Sequence, residues 1–97
     1  MYAVVRTYEM SDDWDDTLEG RLNEGFIPLI EKVPGFVSYH AIEGDKRLFC
    51  SVTIFADRAG VTEANRLAAD YVQQHLADRF PTSPEITMGE VRASRSA

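Results

Sequence analysis

The sequence has little cysteine, little histidine and no excess of positive charge. Cys50 is the one cysteine, and His40 and His75 are the two histidines, so neither a disulfide framework nor a metal-ligand spacing is present. Ten Lys and Arg stand against sixteen Asp and Glu, a net charge of -6 at pH 7. That is the wrong sign for neutralising phosphates and argues against a nucleic-acid partner. Apolar runs extend over only a few residues, too short to cross a bilayer, and Met1-Tyr-Ala-Val-Val-Arg has no basic segment ahead of a long apolar stretch. The expectation is a cytoplasmic protein with no membrane partner. Repeats and linkers are lacking too. What remains is 97 residues, 44% apolar and 27% charged, read as one domain over 1–97 with a polar, mobile tail at 92–97. A core of this size is feasible but thin, and pairing with a second copy would add apolar burial.

Tyr2 to Tyr8 holds β-branched and aromatic residues with no turn former, which suits a strand. Ser11-Asp12-Asp13 signals a helix start, with Asp12, Asp13, Asp15 and Asp16 crowding a first turn where the helix dipole favours negative charge. Trp14, Leu18, Leu22, Phe26, Leu29 and Val33 follow at steps of three or four, an amphipathic helix bent near Glu24 to Pro28 and stopped by Pro34-Gly35. Phe36 to Ile42 and Arg47 to Phe55 read as antiparallel strands, and the glycine of Glu43-Gly44-Asp45-Lys46 tolerates the positive φ of a tight hairpin. A second helix spans about Asp57 to Arg79, and Glu85 to Val91 makes a last strand. This order is that of an α+β, ferredoxin-like βαββαβ sandwich with an antiparallel sheet. Two helices cover one sheet face and leave the other bare. Neither parity of the third strand is polar, with Leu48, Cys50, Val52 and Ile54 on one side and Phe49, Ser51, Thr53 and Phe55 on the other. A bare apolar face needs a cover, and the same face of a second copy is the simplest one, giving an isologous homodimer through the open sheet.

Four passages covering nearly the whole chain, MYAVVRTYE, EKVPGFVSYHAIEGD, RLFCSVTIFADRAG and PEITMGEV, resemble the antibiotic biosynthesis monooxygenase-like group of the dimeric α/β-barrel superfamily. The resemblance implies a dimeric barrel, a small apolar or aromatic ligand and, for the quinol oxygenases of the group, reaction with oxygen without a cofactor. Those oxygenases use an Asn and a Trp on the third strand, a Tyr at the start of the second helix and an Arg further along it. The matching positions here carry Ser51, Phe55, Val61 and His75. Heme degraders of the group use a first-strand Asn and a second-helix Trp and His; here the first strand offers Arg6 and Thr7, and only His75 lies near the expected His. Three alternatives follow: a cofactor-independent monooxygenase acting on an aromatic or quinol-type compound, a non-catalytic ligand-binding or structural dimer, and heme binding through His75.

At α-helical spacing His75 falls near the centre of the stripe made by Val61, Ala64, Ala68, Tyr71 and Val72, so it is expected to point at the sheet. Ala64 and Ala68 fill little volume, which would leave a cavity of a few hundred Å3 beside the imidazole, the usual size of a small-molecule pocket. A histidine there is a candidate general base, and a core histidine hydrogen-bonded to Tyr71 or Ser51 is the structural alternative. Tyr71 either aims its hydroxyl into the same space or is simply core, and Asn65 either lines the cavity mouth or is a solvated helix-side asparagine. Ser51 and Thr53, between the rings of Phe49 and Phe55, suit an apolar pocket with polar anchors and suit a half-filled core equally. Arg6, mid-strand between Val4 and Tyr8, must be paired if buried; the expected partner is Glu9, Glu90 or a carboxylate of a second subunit rather than an anionic substrate. His40 reads as a surface or interface residue, Trp14 as a core or interface anchor, and Cys50 as an inert buried thiol.

Overall fold

The computed structural model describes residues 1–97. Strand β1 (Tyr2–Glu9) leads to α1 (Asp16–Gly20), which continues through a π-helical turn (Arg21–Phe26) into α2 (Ile27–Ile30). Strands β2 (Phe36–Glu43) and β3 (Leu48–Phe55) form a hairpin. Then α3 (Arg58–Tyr71) runs into a second π turn (Val72–Leu76), and β4 (Glu85–Glu90) closes the chain's one sheet. The strand order is β2-β3-β1-β4, every pair antiparallel, with the helices on one face. This is the ferredoxin-like α+β arrangement that the order of elements predicts.

Alternation places the core. Val4, Arg6 and Tyr8 of β1 and Phe49, Ser51, Thr53 and Phe55 of β3 are buried under the helices, with Arg6 opposite Ser51 and Tyr8 opposite Phe49. Leu18, Leu22, Phe26 and Ile30 come down from the first helical layer, and Val61, Ala64, Ala68 and Leu76 from the second. The other face carries Ala3 opposite Ile54, Val5 opposite Val52, and Ile42 opposite Cys50. Val5, Val52, Ile54 and Cys50 are half-buried there, so Cys50 is not the fully buried thiol that its parity suggested. No helix is long and apolar enough to cross a membrane.

The first helix starts later than its acidic run suggests. Asp15 is the N-cap, its carboxylate accepting the Leu18 N–H at 2.9 Å, so Asp12, Asp13 and Trp14 stand outside the first turn. The reason is tertiary. Arg79 donates to the Asp15 carboxylate at 3.1 Å and to the Asp13 carbonyl, while Ser11 bonds through its N–H to the Arg79 carbonyl and through its hydroxyl to that of Asp78, both at 2.8 Å. These bonds tie residues 11–15, which precede the helix, to the end of the second helical layer. The Leu18 N–H first, and then Arg79, hold the Asp15 carboxyl below its ordinary value.

The expected bend near Pro28 is a π turn. Pro28 has no N–H and its ring crowds the preceding turn, and the Tyr71 hydroxyl donates to the Arg21 carbonyl at 2.7 Å from outside the helix. An inserted donor and a missing one both favour wider i→i+5 bonding over the regular ladder. The hairpin differs as well: positive φ falls on Lys46 (57°) and Arg47 (58°) rather than on Gly44. The Leu48 N–H bonds to the Asp45 carbonyl at 3.1 Å, so these two are the central residues of a two-residue turn, the positions that a type I′ turn requires to be left-handed.

Candidate functional site

Arg6 sits mid-strand on the helix-facing side of β1, flanked by Ser51 of β3 and Ile86 of β4. It is 2% exposed. Its Nη2 donates to Asn65 Oδ1 on α3, and the Asn65 amide nitrogen is turned to the Met88 sulfur at 3.1 Å, which fixes the amide's orientation. None of the fold's ion pairs includes Arg6. Glu9 faces the other side of the sheet by strand parity, and Glu90 pairs with Arg92 at 3.2 Å. The structural pairing that a buried arginine calls for is therefore not made within this chain. Burial pulls the Arg6 guanidinium below its ordinary pKa, and the titratable neighbours that oppose this are the phenols of Tyr8 and Tyr39.

Burial raises both phenols above their ordinary value of 10.0, Tyr39 by a wide margin. Both hydroxyls are thus protonated at neutral pH. The linkage has a definite sign: above pH 10 the unfolded chain ionises these phenols while the fold keeps them neutral, so stability is full below about pH 10 and falls as pH rises beyond it. Tyr39→Phe removes one of these groups. We expect its alkaline unfolding midpoint, followed by circular dichroism over a rising pH series, to lie above that of the wild type; an unchanged midpoint would refute the assignment.

Two spaces meet at Arg6. Between the sheet and the second helical layer lies a void of about 20 Å3, lined by Arg6, Tyr8, Tyr39, Ser51, Tyr71 and Leu76 among others, with room for about one water. The expected cavity of a few hundred Å3 is not there, because Ala64 and Ala68, both buried, let the helix approach the sheet instead of leaving a hole. The larger space is beside it. A cleft of about 440 Å3 runs between α3 with its π extension (Asn65, Ala69, Val72, Gln73), the Phe80–Pro84 loop and Ile86 of β4. Arg6, Tyr8, Val72 and Phe80 line both spaces.

The other sequence-derived candidates separate. Ser51, 3% exposed, and Tyr71 line the small void, but the Tyr71 hydroxyl is committed to the Arg21 carbonyl. Asn65 lines the cleft. Phe55 and Thr53 line neither space: the Phe55 ring packs on Phe36 and under Gly60, and the buried Thr53 Oγ1 has no hydrogen-bond partner. His75 is exposed and stacks on the outer side of Tyr71, ring centroids 4.7 Å apart. The second π turn explains the shift. Each residue in it advances by less than an α-helical step, so of the two residues that regular spacing puts on the stripe, Leu76 faces in and His75 is turned out. The histidine that heme ligation would need thus points away from the cleft, and no three His, Cys, Asp or Glu side chains gather to hold a metal. The structure adds Tyr8, Gln73, Phe80 and Ile86 to the lining of the cleft. The signal available for them was the lone charge of Arg6 on the apolar parity of β1.

The sequence matches no protein-family model and no curated protein. Solved structures match almost end to end. NE2512, a protein of unknown function from Nitrosomonas europaea, superposes with TM-score 0.78 at 21% identity, covering 99% of this chain and 93% of its own. A monooxygenase from the gene ActVA-Orf6 of Streptomyces coelicolor, solved with the ligand Nanaomycin D, gives TM-score 0.74 at 14% identity over 99% of this chain and 91% of its own. This chain has the ferredoxin-like α+β fold of these structures. A mutant of SnoaB, a cofactor-independent oxygenase from Streptomyces nogalater, agrees with TM-score 0.71 at 13% identity, covering 96% of this chain and 94% of its own. The shared fold is held here with Ser51, Phe55, Val61 and His75 at the positions where the resemblance placed Asn, Trp, Tyr and Arg.

Proposed function

We propose that this protein is a cofactor-independent monooxygenase of a small aromatic or quinol-type compound, bound in the 440 Å3 cleft. The observation that carries the reading is the cleft itself: apolar walls of Val72, Phe80, Pro81 and Ile86 with a few polar groups converging at the floor, in a volume usual for small-molecule sites. The likeness to oxygenases supports it. In the reaction, one proton is lost, from a ring CH2 para to a carbonyl or from the hydroxyl of the phenol tautomer, and the ring carbon keeps one hydrogen. The resulting anion gives two electrons to O2 and forms a C–O bond, and the peroxide anion takes up a proton to become the hydroperoxide. Loss of water then leaves a C=O, with one oxygen atom in the product and the other in water. His75 has no part in this reading.

The same proposal places a second copy on the open sheet face, across Val5, Val52 and Ile54, in a cytoplasmic homodimer. Sedimentation equilibrium should then give a two-chain mass, and a single-chain mass would remove this half of the reading. For the first half, the test is oxygen uptake with anthrone and with naphthoquinol, with the quinone product followed by absorbance. Ala69 is exposed on the cleft wall, so Ala69→Trp fills the cleft without touching the core; turnover should fall at least about tenfold while His75→Ala leaves it unchanged. Binding of these compounds without oxygen uptake would make the protein a ligand-binding dimer instead.

A further inference from the structure

Arg6 combines features that a purely structural arginine does not need. It is almost wholly buried, it lies at the floor of a solvent-connected cleft, and its one hydrogen-bond partner is a neutral amide. A guanidinium carries more donors than one amide oxygen can satisfy, and burying a cation without an anion is costly. The chain does not lack anions, having sixteen Asp and Glu, yet none is placed here. Residue 65 is the position from which a carboxylate would neutralise Arg6, and it holds the uncharged isostere, Asn, oriented by Met88. The neighbouring Tyr8 and Tyr39 are neutral phenols able to donate to an oxyanion. A second subunit packed on the open face would lie across the sheet from Arg6, so it does not bring a carboxylate through that face.

We propose that Arg6 is an anion receptor, and that the cleft's ligand is an aromatic compound carrying an ionised oxygen which seats on the Arg6 guanidinium beside Asn65 and Tyr8. The proposal rests on the cleft being a ligand site and is independent of the oxygen chemistry. Charge-assisted, forked hydrogen bonding at a water-poor floor sets the orientation, with the aromatic body against Val72, Phe80 and Ile86. The anion is either a carboxylate on the ring or the ring's own phenolate, and the test separates these sources.

Equilibrium binding would be measured by calorimetry at pH 8 with 2-naphthoate against 2-naphthamide, and with 4-nitrophenolate against nitrobenzene. At least one anion should bind about ten- to a hundredfold more tightly than its neutral partner. Preference for naphthoate alone assigns a carboxylate, and preference for nitrophenolate alone a phenolate. Arg6→Met should abolish the preference and keep the binding of the neutral probe. Asn65→Asp, which supplies the missing carboxylate from within the chain, should abolish it as well while raising the thermal midpoint, and it guards against misfolding of the Arg6 variant. Equal binding of anion and neutral partner by the wild type would overturn the proposal and leave the cleft a ligand site. A preference that survives both substitutions would overturn it too. If no probe binds at all, the proposal and the ligand-site reading fall together.

Discussion

Phe49→Ala is expected to lower folding stability by about 3–5 kcal/mol, read as a lower urea midpoint at unchanged slope. Phe49 is 2% exposed and joins three rings from three parts of the chain. Its ring centroid lies 5.7 Å from Tyr8 and from Trp14 and 5.4 Å from Phe80, the Tyr8 and Phe80 contacts being edge-on. Edge-on aromatic pairs add to plain area burial, so the loss should sit at the upper end of the range for large-to-small changes. The cluster also supports the site, because Tyr8 and Phe80 are walls of the cleft. Binding of 2-naphthamide should therefore weaken in the same variant under conditions where it remains folded. A cost below about 1 kcal/mol would mean that the cavity collapses freely and that the rings are not a rigid support.

Gly25→Ala is expected to destabilise by about 1–3 kcal/mol, against the usual direction of a helical glycine-to-alanine change, which stabilises by roughly 1 kcal/mol. The reason is local. A Cβ at residue 25 would overlap the Tyr71 hydroxyl, with the ring's Cζ and Cε1 at 2.9 and 3.1 Å. Moving that ring breaks the bond from the phenol to the Arg21 carbonyl and disturbs its contacts with Phe26 and His75. Tyr71→Phe removes the clashing oxygen, so a double-mutant cycle should give a smaller cost of Gly25→Ala when it is combined with Tyr71→Phe than when it is made alone. Additive costs would show that the glycine and the phenol are not coupled. The prediction also bears on the π turn, since the same hydroxyl occupies the Arg21 carbonyl at its start.

How far the sequence could be read follows from which interactions are local. The strands were legible because alternation along β1 and β3 is a local signal, and Val4, Tyr8, Phe49 and Phe55 are all buried as alternation requires. Helix capping was only partly legible. Asp57 caps α3 through the Gly60 N–H at 3.2 Å, whereas Asp15 could not be told from Asp12 or Asp13 without Arg79, which comes from the far end of the chain. The site was the least legible part. Ser51 and Tyr71 lie at the small void and Asn65 at the cleft, but His75 was placed by a helical period that the π turn breaks.

The sequence by itself determined the order of elements, the antiparallel sandwich and the two apolar sheet faces, because period, turn residues and strand alternation act between near neighbours. Only the tertiary structure decided which side chains share a space. Tyr71 reaching the Arg21 carbonyl accompanies a widened turn in the first helical layer, and a second widened turn moves His75 out while Leu76 stays in. Arg6 shows the same division. Its place on an apolar strand face is written in the sequence, while its lack of a carboxylate partner depends on where every acidic residue of the folded chain comes to rest.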